Sequence, residues 1–431
     1  MGICLIELWN ITILRCTMTK KPIILFTTPV LQHPATGGPA LRIENSIKAL
    51  SQISHLHIYC RAPVEDRSNW LYYESLSVGF YTAPSLRLSS RCIGIAEKSI
   101  NLLGECIFHR SFFTVDWSKK DAQDLLDTAD SIKADLIWLG FGNISYPLLR
   151  YIKENSDYKT VCDTDSVWSR FVLRGLPFAR DECEKEEIIT RGRLKEIEEE
   201  WGTKLSDVTT AVSSVDAEYY RNLVSQPQKI KIFSNVVDVE AYKSIPPELQ
   251  GFLHPCIYLA GTFWPGSPME EAARWTIREV LPLVKNKIPT VHFYIIGKGS
   301  DTTLLDIHES DITITGRLDS VLPYLCHADV ALVPLKFESG TRFKILEAGA
   351  CGIPVVSTTL GAEGLPITHG KDILIADDPE AFANSIVQLI LDRNLASSVA
   401  ENLKKLVADN FGLSKQVDEA KEIIDYLLHD T

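Results

Sequence analysis

Short apolar runs recur along the chain, each followed by a polar, often glycine-bearing loop and then by apolar residues at helical spacing. In the first half the runs fall at 22–27, 56–59, 134–139, 160–163, 208–213 and 229–233. In the second half they fall at 256–260, 291–296, 312–315, 330–335, 353–358 and 373–376. Runs this short and this rich in Val, Ile and Leu predict strands buried on both faces rather than helices. Helices are predicted over 40–50, 182–200, from the segment SSVDAEYY onward, and over 321–327, 341–351, 379–391, 394–410 and 411–428. A strand–loop–helix rhythm that restarts half-way predicts two α/β domains with parallel sheets. The domains fall at 21–237 and 253–410, joined by a Pro-rich polar linker at 238–252 and followed by a helix within 411–431. The pattern is irregular over 61–90.

The most informative stretch is 330–365, VALVPLKFESGTRFKILEAGACGIPVVSTTLGAEGL. It reads as strand, loop, helix, tight turn and strand. Phe343, Leu346 and Ala350 share one helical face, Gly352 suits a left-handed helix stop, and Pro354 prevents resumption. A helix start leaves backbone N–H groups free and carries positive potential. Gly340 removes a side chain that would block an anion from those groups, with Thr341 beside it, and Arg342 and Lys344 add cations in the predicted first turn. Cations there are unfavourable for a helix, so a bound anion explains them. Glu347, one turn on, suits sugar hydroxyls. The same residues also suit a solvated loop with two surface bases and a surface carboxylate.

In the first half, a Gly37-Gly38 loop links the first strand to an amphipathic helix that carries Arg42. This is half of a Rossmann-like unit without the GxGxxG spacing of a dinucleotide site, which disfavours an NAD-dependent dehydrogenase. Asn143 follows the strand at 134–139, at the end where open sheets bind ligands. Asp163 and Asp165 flank Thr164 at the end of another strand; they fit a base or metal pair, or helix capping by Asp165 or Ser166. The charge-rich segment 182–200 reads as a solvated face. In the second half, Gly297, Gly299 and Gly316 end successive strands, where a base or ribose can approach closely, and Arg317 and Asp319 fit either that site or a local surface pair.

With 431 residues, the chain exceeds the size at which one core continues to grow. A formal net charge of −12 argues against a broad nucleic-acid surface, though not against a local anion site. Ten cysteines are scattered singly, which reads as buried thiols of a reducing, cytoplasmic compartment rather than a disulfide frame or zinc site. Residues 1–20 lack a signal-peptide plan and are too polar for a confident span; they read as an overextended start or, less economically, a membrane-contacting leader.

The motif ESGTRFKILEAGACGIPVV resembles the nucleotide-sugar site of family 4 retaining glycosyltransferases, the GT-B fold of two facing Rossmann-like domains with a cleft between them. Glu347 matches the second of that family's two glutamates, implied to hold the nucleotide ribose. Ser339 stands where the first glutamate would be, and Glu338 is displaced by one residue; a glycine-rich branch of the family has a similar loop. The resemblance implies that Ser339 or Glu338 touches the donor sugar, that Arg342, Lys344 and the 340–341 turn meet the departing diphosphate, and that Gly37, Gly38, Gly316 and Arg317 lie around the donor. Arg42, Asn143 and Asp163 fall on the implied acceptor side, and Tyr72, Tyr73, Phe80 and Tyr81 either face the acceptor or pack as an insertion. No histidine lies between His109 and His254, so the family's sugar-contacting histidine has no counterpart. The final helix is implied to return to the first domain.

The expectation is therefore transfer, with retention, of a glycosyl group from a nucleoside-diphosphate sugar to a sugar, glycan or lipid-linked acceptor, as in polysaccharide biosynthesis. No cofactor and no metal are expected, since Asp163-Thr164-Asp165 lies outside the segments relatives use for an ion. The protein is expected in the cytoplasm or peripherally at the inner face of the membrane. The alternatives are a catalytically inactive nucleotide- or sugar-binding component of a polysaccharide assembly complex, and a phosphorylase or epimerase on the same fold.

Overall fold

The computed structural model describes residues 21–62, 68–85 and 118–429. The leader and the remainder of the irregular region lie outside them. The first domain contains β1 (Ile23–Thr28), α1 (Gly38–Ile53), β2 (His55–Cys60), α2 (Ser68–Ser75), β3 (Gly79–Thr82), α3 (Lys119–Ile132), β4 (Leu136–Gly140), α4 (Tyr146–Asn155), β5 (Lys159–Asp163), α5 (Trp168–Arg174), α6 (Glu182–Leu205), β6 (Val208–Ala211), α7 (Ser214–Arg221) and β7 (Ile230–Ile232). The second contains β8 (Cys256–Ala260), α8 (Pro268–Trp275) and α9 (Leu281–Lys285), β9 (His292–Ile296), α10 (Ser300–Thr303), β10 (Ile312–Ile314), α11 (Leu322–Leu325), β11 (Val330–Val333), α12 (Phe343–Cys351), β12 (Val355–Ser357), β13 (Leu374–Ile375), α13 (Pro379–Leu391) and α14 (Arg393–Asn410). Last comes α15 (Leu413–Leu428).

Among the described residues the strands form two parallel sheets, ordered β3-β2-β1-β4-β5-β6-β7 and β10-β9-β8-β11-β12-β13. Strand order reverses between β1 and β4 in one sheet and between β8 and β11 in the other. At such a switch point neighbouring loops leave on opposite faces and open a crevice at the carboxyl ends of the strands. The loops after β1, β4, β8 and β11 are therefore the ones placed to hold a ligand. Both faces of the first sheet are covered: Ile24, Phe26, Ile58 and Trp138 face one cluster, Leu25, Tyr59, Ile137 and Leu139 the other. This is why the strands read as unbroken apolar runs. The second domain closes around a single core that includes Ile257, Leu259, Phe293, Ile295, Val330, Leu346, Val356 and Phe382. α15 returns to the first domain, where Ala420, Ile423, Ile424 and Leu427 join the core that contains Ile43 and Ile47 of α1.

Two local expectations are corrected. The segment 61–90 is not irregular throughout: α2 and β3 lie within it, with β3 paired in parallel to β2 through His57 and Gly79. Tyr73 is fully buried and donates to the Gln32 carbonyl at 2.7 Å, so it packs rather than faces a ligand. Nor is α6 merely a solvated face. Glu199 is buried and accepts from the Ser169 amide at 3.0 Å and the Tyr219 hydroxyl at 2.7 Å, fixing α6 against α5 and α7.

Candidate functional site

The loop after β11 runs into α12 two residues later than the sequence suggests. Arg342 is extended, with φ −96° and ψ 103°, and the helix begins at Phe343. The reason is the Arg342 side chain. Its Nη1 donates to the carbonyls of Ser339, at 2.8 Å, and Gly340, and its Nη2 reaches the Leu360 carbonyl at 3.4 Å. Arg342 is thus a buried brace that folds its own loop, and burial lowers its pKa. The cation left over is Lys344 in the first turn: its ammonium makes no hydrogen bond or ion pair among the described residues, burial lowers its pKa, and Glu338 works in the opposite sense. The Glu338 carboxylate accepts from the Ser339 amide at 3.2 Å. One turn further, Glu347 accepts from the Tyr242 hydroxyl at 3.0 Å, and burial raises its pKa. Gly352 closes the helix in the left-handed region, φ 73°.

The loops of the first domain meet this turn. Gly340 has φ +80°, and a Cβ on it would lie 2.8 Å from the Asp165 carbonyl oxygen. Only glycine fits both the conformation and the approach. Gly37 is the residue before α1, and a Cβ on Gly38 would lie 3.3 Å from the Phe343 ring, so the Gly-Gly loop abuts the start of α12. Asn143, in the one-turn helix after β4, donates to Asp165 Oδ1 at 2.6 Å and to the Ser166 carbonyl at 3.2 Å. Before it, Phe141 adopts φ 59°, a conformation bulky side chains avoid, and packs edge-on against Trp168. The sheet end is clamped by Asn235 Nδ2 donating to Thr341 Oγ1 at 2.8 Å. Four polar atoms along this seam are buried without a partner among the described residues: Asn143 Oδ1, Asp216 Oδ2, Ser339 Oγ and Arg342 Nε. Buried polar atoms are nearly always paired, so these four are left open to a polar partner from outside the protein.

Several expected site residues are taken up by protein contacts. Arg42 and Asp163 are not acceptor contacts. Both side chains are fully buried and ion-paired to each other; Asp163 also accepts from Thr210 Oγ1 and Trp138 Nε1, and Arg42 donates to the Phe233 carbonyl and Asn235 Oδ1. A charge this deep needs its partners, which leaves neither group free. Asp165 and Ser166 do not cap a helix: α5 begins after Val167 with no side-chain cap, and Asp165 instead accepts from Trp168 Nε1 at 3.0 Å. The glycines after β9 make room for protein: side chains at Gly297 and Gly299 would strike the carbonyls of Gly261 and Phe263 in the loop after β8. Gly316 lies against the Asp301 carboxylate, and Arg317 is exposed and pairs with no carboxylate among the described residues.

Sequence reasoning missed the groups that hold the two domains together here. Arg174 at the end of α5 forms a two-pronged pair with Glu363 at 2.6 and 2.7 Å and donates to the Glu338 carbonyl at 2.7 Å. Phe178 stacks on Phe337, centroids 4.9 Å apart. His254, Cys256 and Asp329 form a cluster with ligand atoms within 4.8 Å of one another. They precede or open β8 and β11, at the opposite end of the sheet from the crevice, so an ion there would not touch a ligand at the seam.

Residues 254–392 match the family of glycosyl transferases group 1. The chain superposes on HepE of Anabaena, solved with UDP and glucose, with a TM-score of 0.63 at 14% identity, covering 94% of this chain and 100% of that one. The fold is GT-B. The same GT-B frame relates the chain to sucrose-phosphate synthase of Thermosynechococcus elongatus, with a TM-score of 0.66 at 15% identity, covering 96% and 100%. In sequence it is 26% identical over 162 residues to an uncharacterized glycosyltransferase of Methanocaldococcus jannaschii and 27% identical over 146 residues to a lipopolysaccharide core biosynthesis glycosyltransferase of Rhizobium meliloti. These matches cover 36% and 32% of this chain but only 41% and 43% of the relatives' own lengths. The GT-B crevice between the two sheets coincides with the seam of unpartnered polar atoms. No helix among the described residues is long and apolar enough to cross a membrane.

Proposed function

We propose that this protein transfers a glycosyl group from a nucleoside-diphosphate sugar to a sugar, glycan or lipid-linked acceptor, with retention at the anomeric carbon and without a metal ion. The observation that carries the reading is Lys344: a cation with no partner among the described residues, at the start of α12, within electrostatic reach of Glu338 and one turn from Glu347. As the glycosidic bond breaks, negative charge builds on the diphosphate, and fixed positive groups at that position lower the barrier. Lys344 and the free amides opening α12 supply that charge. Arg342 holds the loop in shape for them, a positioning role, and Glu347 takes the ribose hydroxyls. Ser339 and Glu338 face the donor sugar, Gly37 and Gly38 admit the diphosphate, Gly316 and Arg317 border the base, and Asn143 lies on the acceptor side. The UDP and glucose in the HepE structure make UDP-glucose the first donor to test.

The test is calorimetry with UDP-, GDP-, ADP- and dTDP-glucose, followed by transfer to oligosaccharide acceptors in excess EDTA, with the product anomer read by NMR. Binding of one donor and a product of unchanged anomeric configuration is the expected result. Absence of binding to all four by the folded protein overturns the reading; an inverted product or loss of turnover in EDTA overturns its mechanistic part.

A further inference from the structure

Two thiols stand together behind the site. Cys351 is the last residue of α12, and Cys326 follows α11 at its carboxyl end. Both are half-buried, and the Sγ atoms are 3.6 Å apart. A disulfide needs about 2.05 Å between sulfurs, so closing the pair asks for a sulfur movement of about 1.5 Å. The other described cysteines do not offer this: Cys60, Cys162 and Cys256 are buried, and exposed Cys183 has no thiol neighbour among the described residues.

The surroundings favour reaction at one sulfur. The Cys351 thiol and the neighbouring His327 pull the Cys326 pKa down to about 7, while Cys351 is held well above the ordinary thiol range by the same contact, by burial and by nearby Glu347. His327 therefore favours the thiolate at Cys326, while burial and Glu347 favour the protonated thiol at Cys351, the division of labour that two-step oxidation uses. The pair is also wired to the proposed donor site. Glu347 lies one turn before Cys351 on α12, and the buried Tyr258 is within electrostatic reach of Glu347, Cys326 and Cys351 alike.

We propose that Cys326 and Cys351 are a peroxide-oxidised pair whose reversible disulfide ties the end of α12 to α11 and loosens the grip of Glu347 on its ligand. In the first step the Cys326 thiolate attacks a peroxide oxygen; the O–O bond breaks, and hydroxide leaves as water, giving a sulfenic acid. In the second, Cys351 attacks that sulfur, the S–O bond breaks, the S–S bond forms, and water leaves with the Cys351 proton. Hydrogen peroxide is reduced to two waters while the two thiols give up two electrons and two protons.

The test uses the full chain, treated with a small excess of hydrogen peroxide and then with dithiothreitol. The expected result is a loss of about 2 Da, with 326 and 351 joined in one cross-linked peptide, restored by the reductant. The loss is absent in Cys326→Ser and in Cys351→Ser; Cys351→Ala serves if a serine variant does not fold. Amide exchange over 343–351 slows by about threefold or more in the oxidised protein. No cross-linked peptide, or one that survives in either variant, overturns the assignment of the site, whatever the protein binds. The effect on Glu347 rests on the donor site proposed above: oxidation is expected to weaken the nucleotide sugar by about threefold or more, and unchanged affinity in the oxidised protein overturns that link. A reduced protein that binds no nucleotide sugar defeats the donor reading instead, and with it the link, while the mass and exchange results stand on their own.

Discussion

At the scale of single residues, the two cations of the GTRFK segment do different work. Lys344→Ala is expected to weaken donor binding about tenfold, or about 1.4 kcal/mol, with little change in melting temperature, because the ammonium has no partner among the described residues to lose. Arg342→Ala leaves the carbonyls of Ser339, Gly340 and Leu360 without that donor, so a loss of about 1–3 kcal/mol in urea unfolding accompanies its loss of turnover. Calorimetry and unfolding on the same two variants separate the roles; equal destabilisation by both would show the distinction to be mistaken. Arg42→Met is a third case. It strands Asp163 in the core and is expected to destabilise by about 3–5 kcal/mol, with no selective effect on acceptor KM in whatever folded protein remains. The sequence offered no route to this pair, since its members are 121 residues apart and each, read alone, looks like a cleft residue.

Among the elements, most strands were legible for a plain reason: a parallel strand covered on both faces is an apolar run, and β8, at 256–260, was read residue for residue. β3 escaped because it is an edge strand, half-buried at all four positions, and GFYT carries neither an apolar run nor alternation. The start of α12 was misplaced because propensity cannot see a guanidinium reaching back to its own loop. That loop is where a single methyl group is most informative. Gly340→Ala places a Cβ 2.8 Å from the Asp165 carbonyl oxygen and forces alanine to φ +80°. The left-handed backbone alone costs about 1–2 kcal/mol, so a lower melting temperature and a higher donor KM are expected together; wild-type values for both would remove the turn from the site.

For the whole molecule, the two domains meet through Arg174 and Glu363, partners 189 residues apart that no local pattern announces. Arg174 holds the Glu363 pKa below its usual range. A depressed carboxylate contributes stability that is present above its unfolded pKa of about 4.3 and is lost as pH falls through the lower folded value. Wild type should therefore melt higher than Glu363→Gln at pH 6, and the difference should shrink as pH drops below about 4. Parallel melting curves across that range would mean that the pair contributes nothing to closure.

The return of α15 has a consequence for how the protein is made. Ala420, Ile423, Ile424 and Leu427 complete a core whose other members were translated before the entire second domain. On the ribosome the first domain must wait with an apolar trough beside α1, although domains commonly fold in the order they emerge. Residues 21–237 produced alone should aggregate, and a separately supplied peptide spanning 411–429 should rescue them.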